Sequence, residues 1–356
     1  MHSKDLHFMR KVFQLAYRAQ GFTSPNPMVG AVVVKNNKII GQGYHRKAGL
    51  PHAEVIALNK AGRMAYGATL YVNLEPCCHW GRTPPCVDRI IAAGIKRVVI
   101  SVKDPNPLVN GRSIRKLKAA GIKVDVGLMK EEGAKINEVF FKAIKTQLPF
   151  VALKFAQSLD GKITYRGKDS KWITSGAARH RARLLRSFYD AVVVGVNTIL
   201  VDNPYLDSSL AGKEMTKVVL DPELRIRPDF NIFRRGKVII VYRKGEKIPS
   251  SFGGSKTEFV SCSIKKREFV LKELLAKLFS RGIYSLFVEG GAFTLGSFLK
   301  QKVADKIYIF IAKKIIGEQG LGSIGARIRN NYVEIKKVIC SHEKDYLFVE
   351  GYPSYE

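Results

Sequence analysis

Apolar residues at Leu6, Met9, Phe13, Ala16 and Tyr17 recur with helical spacing, which predicts an amphipathic opening helix over Leu6 to Ala19. Met28 to Lys35 and Lys38 to Gly43 then read as two strands joined at Asn36-Asn37, residue types that accept the positive φ of a tight hairpin. Pro51-His52-Ala53-Glu54 follows and leads into a helical period over Val55 to Ala61, proline being tolerated just ahead of a first turn. A strand over Ala68 to Leu74, a helix over Cys86 to Ala93 closed by Gly94, and a strand over Arg97 to Val102 continue the series. This β-α-β-α-β order predicts a sheet flanked by helices.

Around Thr146 to Pro149 the texture resets, and Phe150 to Lys154 starts a second α/β series. It has predicted helices over Gly176 to Arg186, Glu268 to Arg281 and Ala292 to Gln301. Its predicted strands cover Asp190 to Val196, Val218 to Asp221, Lys237 to Tyr242 and Tyr284 to Glu289. Two domains, 1–147 and 148–356, are the economical description, with no internal repeat or low-complexity tract. With 46% hydrophobic and 25% charged residues, the 356-residue chain can bury a core in each, which excludes a disordered or fibrous protein. The longest apolar runs, Val29 to Val34 and Ala191 to Val196, fall far short of the roughly 20 residues of a spanning helix. The N-terminus carries Asp5 among basic residues and no apolar signal core, so no membrane association is expected and the default location is the cytoplasm.

Charge changes this picture less than its size suggests. The net charge of +30 invites a nucleic-acid partner, but residues 1–147 hold 24 basic and 9 acidic side chains and residues 148–356 hold 36 and 21. Each half carries +15, and no block of five or six like charges exists, Lys265-Lys266-Arg267 being the densest run in its neighbourhood. An even spread favours a lysine-rich solvated surface, and no nucleic-acid partner is expected.

Of five cysteines, Cys77, Cys78 and Cys86 lie within ten residues, an uneven cluster that points to a metal or catalytic site rather than a disulfide framework. Cys262 and Cys340 read as buried small hydrophobes. His52, Cys77 and Cys86 supply one imidazole and two thiolates, a donor set that suits Zn²⁺ and leaves a fourth tetrahedral position open, as in catalytic sites. Glu54 is the unligated acid beside them, able to take a proton from water and pass it to a ring nitrogen and a departing amine. His-x-Glu followed by Pro-Cys and a second Cys is the signature of zinc-dependent deaminases. Here eight residues rather than two separate Cys77 from Cys86, and Cys78 competes for the ligand role; Pro76 favours Cys77.

Glu75-Pro76-Cys77-Cys78-His79-Trp80-Gly81-Arg82-Thr83-Pro84-Pro85-Cys86 resembles the long deaminase loop of the bifunctional deaminase/reductase family of riboflavin biosynthesis. Ser24 to Ala31 and Gly43-Tyr44-His45 are similar to that family's substrate segments. The resemblance implies a cytidine-deaminase-like α/β/α sandwich in which Asn26, His45 and His79 line a pyrimidine pocket, Cys78 standing where the family commonly has Ser.

The resemblance continues through Lys154 to Ile163, Ser170 to Thr174, Arg186, Gly195 to Thr198, Asp202-Asn203-Pro204 and Val288 to Gly291. It implies a dihydrofolate-reductase-like α/β domain using NADPH. By the same resemblance Ala156, Trp172, Thr198, Asp202 and the segment Gly291, Ala292, Phe293, Thr294, Leu295, Gly296 and Ser297 would contact the cofactor. Lys154, Ser170, Arg186, Leu206 and Glu289 would contact the substrate. Gly290-Gly291 between a strand and a helix also suits a pyrophosphate at a helix N-terminus. The implied function is zinc-dependent hydrolytic deamination of 2,5-diamino-6-ribosylamino-4(3H)-pyrimidinone 5′-phosphate, followed by NADPH reduction of the ribosyl group to a ribityl chain. The implied partners are small phosphorylated pyrimidines, and the sequence leaves open whether the chain forms a homo-oligomer.

One departure bears on the second step. Where the family has Arg three positions past Leu206, this chain has Ser209. Loss of a charge-assisted phosphate contact of about 1.5–3 kcal/mol would weaken binding about tenfold to a hundredfold unless Lys213 or another cation replaces it. A deaminase with a degenerate reductase domain, a tRNA-type nucleic-acid deaminase and a structural zinc module with an RNA-binding partner domain are the rival readings.

Overall fold

Asn36 and Asn37 both take positive φ (49° and 60°) and close the hairpin of β1 (Gly30–Lys35) and β2 (Lys38–Tyr44). The computed structural model describes residues 3–80, 84–164, 172–252, 257–325 and 332–355. The chain divides into two units, Met1–Gln147 and Leu148–Glu356.

In the first unit, β3 (Thr69–Leu74), β4 (Arg97–Val102) and β5 (Lys123–Val126) complete a five-stranded sheet of order β2-β1-β3-β4-β5. β1 is antiparallel to both its neighbours, while β3, β4 and β5 run parallel. Alternation with period two divides the core. Val32, Val34, Tyr71 and Val99 meet α1 (Ser3–Tyr17), whereas Ala31, Val33, Leu70, Val72 and Ile100 meet α2 (Ala53–Ala61), α3 (Cys86–Ala92) and α4 (Arg112–Ala119). Helix α2 lies directly on β2: a Cβ on Gly41 would sit 2.2 Å from the Ala57 carbonyl oxygen, and one on Gly43 2.6 Å from that of Ala53. Two glycines thus let the helix that carries Glu54 seat against the sheet. Helices α5 (Lys130–Ile136) and α6 (Glu138–Thr146) close the unit.

A charge cluster ties α1 to the sheet. Arg97 donates to both oxygens of the buried Asp5 at 2.9 Å and to Asp125 at 2.7 Å, and the Tyr71 hydroxyl donates to Asp5 at 2.5 Å. Removing one partner strands the others. Asp5→Ala is therefore expected to destabilise the first unit by about 2–4 kcal/mol, read as a lowered urea midpoint of unfolding. A shift worth under about 0.5 kcal/mol would refute this account.

The second unit holds a nine-stranded sheet built from β6 (Phe150–Gln157), β7 (Ala191–Gly195), β8 (Thr216–Leu220), β9 (Val238–Arg243), β10 (Thr257–Cys262), β11 (Ser285–Val288), β12 (Lys306–Ala312), β13 (Glu334–His342) and β14 (Tyr346–Ser354). The order is β10-β9-β8-β7-β11-β6-β12-β14-β13. β10 through β12 pair in parallel, and the terminal β14 and β13 pair antiparallel. Its helices are α7 (Gly176–Arg186), α8 (Val196–Asp202), α9 (Leu271–Phe279) and α10 (Ala292–Lys300).

Two expectations need correction. The helix predicted from Glu268 starts only at Leu271, because Glu268-Phe269 pairs with Ile264-Lys265 around a turn in which Lys266 and Arg267 take φ of 49° and 67°. The densest basic run is a tight turn. Cys262 is buried, but Cys340 is exposed, since β13 is the sheet's edge strand and most of its side chains meet solvent. Among the described residues no helix is long and apolar enough to cross a membrane.

Candidate active site

Three local devices converge at one end of the first sheet. His52 is the N-cap of α2, and Glu54 follows in its first turn. Cys77 leaves β3 two residues after Glu75, and Cys86 opens α3 behind Pro85. The backbone N–H of Cys86 points at Cys77 Sγ (3.3 Å), and that of Val87 donates to the Cys77 carbonyl (3.2 Å), so the start of α3 fixes the first cysteine. His52 Nδ1 lies 3.2 Å from Cys86 Sγ and 3.6 Å from Cys77 Sγ, and one ligand atom from each residue falls within 4.8 Å of the others. A tetrahedral zinc with bonds of about 2.0–2.3 Å has ligand–ligand edges of about 3.5 Å, so this one-nitrogen, two-sulfur set fits the ion. Cys78 Sγ points away, against the Leu108 carbonyl (3.5 Å).

Glu54 is 4% exposed, and burial raises its carboxyl above the usual carboxylate range despite the opposing charge of His52. A cavity of about 390 Å³ opens over the cluster and is lined by His52, Glu54 and Cys77 together with Asn26, His45 and His79. His45 Nδ1 faces the Pro51 carbonyl oxygen (3.2 Å), which can only accept, so the proton resides there and Nε2 accepts from Asn26 Nδ2 (3.0 Å). Burial lowers the His45 pKa, which keeps that ring neutral. His79 Nδ1 is buried and, among the described residues, has no hydrogen-bond partner, so it is available to a ligand.

The cavity also includes Asp104 and Asn106, which sequence reasoning missed. Both follow the carboxyl end of β4, where ligands of parallel sheets bind, and that position was the available signal. Glu75 pins their loop: its carboxylate accepts from the N–H groups of Asp104 (3.3 Å) and Gly111 (3.1 Å) and from the Ser113 hydroxyl (2.5 Å). Burial pushes the Asp104 carboxyl up to about 6.

In the second unit, Glu289 leaves β11 with its carboxylate 3.5 Å from Arg186 Nε and 3.8 Å from Lys154 Nζ. Arg186 is 5% exposed, yet among the described residues neither its Nε nor Glu289 Oε1 makes a hydrogen bond, so both retain capacity for a ligand. Gly291 caps α10 with open space over its Cα, while a Cβ on Gly290 would sit 2.4 Å from that of Thr294. This bare helix start fits a diphosphate. Phe293 is exposed, whereas Leu295 lies in the core and the Ser297 hydroxyl donates to Glu268 (3.2 Å), so the segment offers a ligand its first turn and not its full length. Trp172 is exposed beneath the Arg179 guanidinium (4.7 Å). Ala156 and Thr198 are half-buried, Asp202 is exposed and Leu206 is buried with φ 54°. Ser170 lies outside the described residues. Ser209 donates its N–H to the Ser187 hydroxyl (2.7 Å), and Lys213 cannot stand in for an arginine there. Its ammonium is bound to the Tyr189 carbonyl (2.9 Å), and burial lowers its pKa to about 8.

The cytidine and deoxycytidylate deaminase zinc-binding region matches residues 2–102, and the RibD C-terminal domain matches residues 149–342. The protein is thus a fusion of a cytidine-deaminase-like zinc-binding domain with a reductase-type α/β domain, the fold class expected from the sequence. The chain is 46% identical to the riboflavin biosynthesis protein RibD of Aquifex aeolicus over 339 residues, 94% of each chain, and 38% identical to that of Escherichia coli over 90% of each. It belongs to the RibD family of riboflavin biosynthesis proteins. Among solved structures it superposes on Acinetobacter baumannii RibD with TM-score 0.88 at 34% identity, covering 99% of both chains. A Thermotoga maritima diaminohydroxyphosphoribosylaminopyrimidine deaminase/5-amino-6-(5-phosphoribosylamino)uracil reductase gives TM-score 0.87 at 36% identity, again over 99% of both.

Proposed function

We propose that the chain catalyses two successive steps of riboflavin synthesis, deamination in residues 1–147 and reduction in residues 148–356. The observation that carries the first is the convergence of His52, Cys77, Cys86 and the buried Glu54 on one cavity with Asn26 and His45. His52, Cys77 and Cys86 would hold zinc, whose Lewis acidity activates a water molecule. Glu54 would take one proton from water and deliver it to the pyrimidine ring nitrogen, then take the second from the newly added hydroxyl and deliver it to the 2-amino group as that leaves as ammonia. One C–N bond breaks, one C–O bond forms, and water is consumed as ammonia leaves. Asn26, His45 and His79 orient the ring, whose amide edge matches their donors and acceptors.

In the second step NADPH, when bound, would supply the hydride for the ribosyl C1′, the C1′–O4′ bond breaking and O4′ taking a proton from water. Gly290, Gly291 and the first turn of α10 would seat its diphosphate, with Ala156, Trp172, Thr198 and Asp202 alongside. Arg186 and Lys154, held by Glu289, bind the substrate with Ser170 and Leu206. Purified zinc-loaded protein supplied with 2,5-diamino-6-ribosylamino-4(3H)-pyrimidinone 5′-phosphate is expected to release ammonia and then oxidise NADPH. Absence of ammonia would refute the deaminase assignment, and ammonia without NADPH oxidation would refute the reductase.

The neutral His45 gives a pH test. Its folded pKa is lowered, so the Asn26–His45 pair is fully present above the ordinary imidazole value of about 6.5 and is lost as pH falls through the lowered value. The deaminase KM should be flat from pH ~8 to ~6.5 and rise on further acidification. A KM that starts to rise well above pH ~7 would contradict a neutral His45.

A further inference from the structure

We infer that Asn137 is a positioning residue for the deaminase: it holds the backbone that presents Asn26 to the pyrimidine, an inference that rests on the reading of Asn26 as a ring contact. Asn137 is the single residue between α5 and α6, closing one helix and standing as N-cap of the next. An asparagine at an N-cap ordinarily spends its side chain on its own helix, accepting from a backbone N–H two or three residues on. This one makes no such bond. Its side chain, 2% exposed, instead reaches Met28: Oδ1 accepts from the Met28 N–H (2.8 Å) and Nδ2 donates to the Met28 carbonyl (3.1 Å). A backbone N–H can only donate and a carbonyl only accept, so the orientation of the amide is fixed.

The clamp is doubled from the sheet. β1 pairs with β3 only from Ala31, opposite Val72. Ahead of that point the buried Asn73 takes over, donating to the Met28 carbonyl (2.9 Å) and accepting from the Gly30 N–H (2.8 Å). Met28 thus has both backbone groups satisfied by side chains, although it precedes the strand. Asn26 lies two residues upstream, between Pro25 and Pro27. Proline fixes φ at about −65° and restricts the residue before it, so little rotation remains between Met28 and Asn26 to absorb a shift. From there Asn26 Nδ2 meets His45 Nε2 in the cavity (3.0 Å), and the His45 N–H donates to the Val29 carbonyl on the same segment (2.9 Å). Phe140, in the first turn of α6, lines that cavity as well. The helix therefore supplies part of the pocket wall and, through Asn137, fixes the segment that carries Asn26.

The test measures steady-state ammonia release by zinc-loaded protein, with zinc content and the urea midpoint recorded for each variant. Asn137→Leu keeps the size of the side chain and removes both hydrogen bonds. It should raise the substrate KM about tenfold with kcat within about threefold, because Glu54 and the metal ligands stand on other elements. Asn137→Asp keeps the acceptor for the Met28 N–H and should raise KM about threefold. Asn26→Ala alone should raise KM about tenfold or more, and in that background neither Asn137 substitution should add as much as about twofold, since Asn137 acts through Asn26. A urea midpoint that falls with KM unchanged would mark Asn137 as structural only and overturn the inference, as would effects of Asn137→Leu and Asn26→Ala that multiply. Where Asn137→Leu loses zinc, Asn137→Asp is judged by the same criteria. A KM unchanged in Asn26→Ala would instead refute the ring-contact reading, and the inference with it.

Discussion

Glu54→Gln is expected to lower ammonia release by about 10³-fold or more while leaving bound zinc and the substrate KM within about twofold. The substitution keeps shape and hydrogen-bonding capacity but removes the group that can gain and lose a proton. The carboxyl is fit for that traffic because burial raises its pKa, and the adjacent His52 moderates the effect without cancelling it. It also sits in the first turn of α2 with His52 as the N-cap, so the metal ligand and the proton carrier are fixed by the same backbone. A structural glutamate would behave differently: its replacement would loosen the helix start, release zinc and lower the urea midpoint together. Ammonia release by Glu54→Gln within tenfold of wild type, with zinc retained, would remove Glu54 from the proton path. The discriminating measurement is therefore zinc content alongside the rate.

How much of this was legible depends on how local the physics is. His52-Ala53-Glu54 could be placed because a proline and a helical period mark a helix start, and Asn36-Asn37 because few residue types accept positive φ at consecutive positions. Lys266 and Arg267 adopt the same conformation with no such signal; pairing of Phe269 with Ile264 imposes it. Asp104 and Asn106 reach the cavity only because β4 lies beside β3 and Glu75 holds the following loop. Lys154, Arg186 and Glu289 come from three distant segments, and no spacing rule could have assembled them. In the sequence they were visible only through resemblance. Ser209 shows the converse. The departure was plain in the sequence, but that Lys213 is engaged elsewhere and that Ser209 is tied to Ser187 emerged only from the fold.

Stripping zinc with a chelator should abolish ammonia release while NADPH oxidation with deaminated substrate persists, and reloading should release at least one proton per ion at neutral pH. The proton count follows from how the metal-free cluster shares charge. A hydrogen bond from the Cys86 thiol, reinforced by His52, pulls the Cys77 thiol far down into the thiolate form. The same hydrogen bond and burial hold Cys86 well above the usual thiol range, so it keeps its proton. His52, hydrogen-bonded to the Cys77 thiolate, is raised above the ordinary imidazole value and retains its second proton further into neutral pH. Ligation requires a neutral imidazole and two thiolates, so zinc must expel the proton on Cys86 and whatever share of a second proton His52 holds, but not one from Cys77. The sign follows: the displaced protons sit on groups with raised pKa, hence apparent zinc affinity falls as pH drops and recovers as it rises. An indicator dye in weakly buffered solution reads the release directly. Cys86→Ala should reduce it by about one proton and weaken zinc binding, whereas Cys78→Ser, whose sulfur faces Leu108, should change neither. Zinc uptake without proton release would contradict the shared-proton cluster, and ammonia release that survives complete chelation would contradict the metal's role.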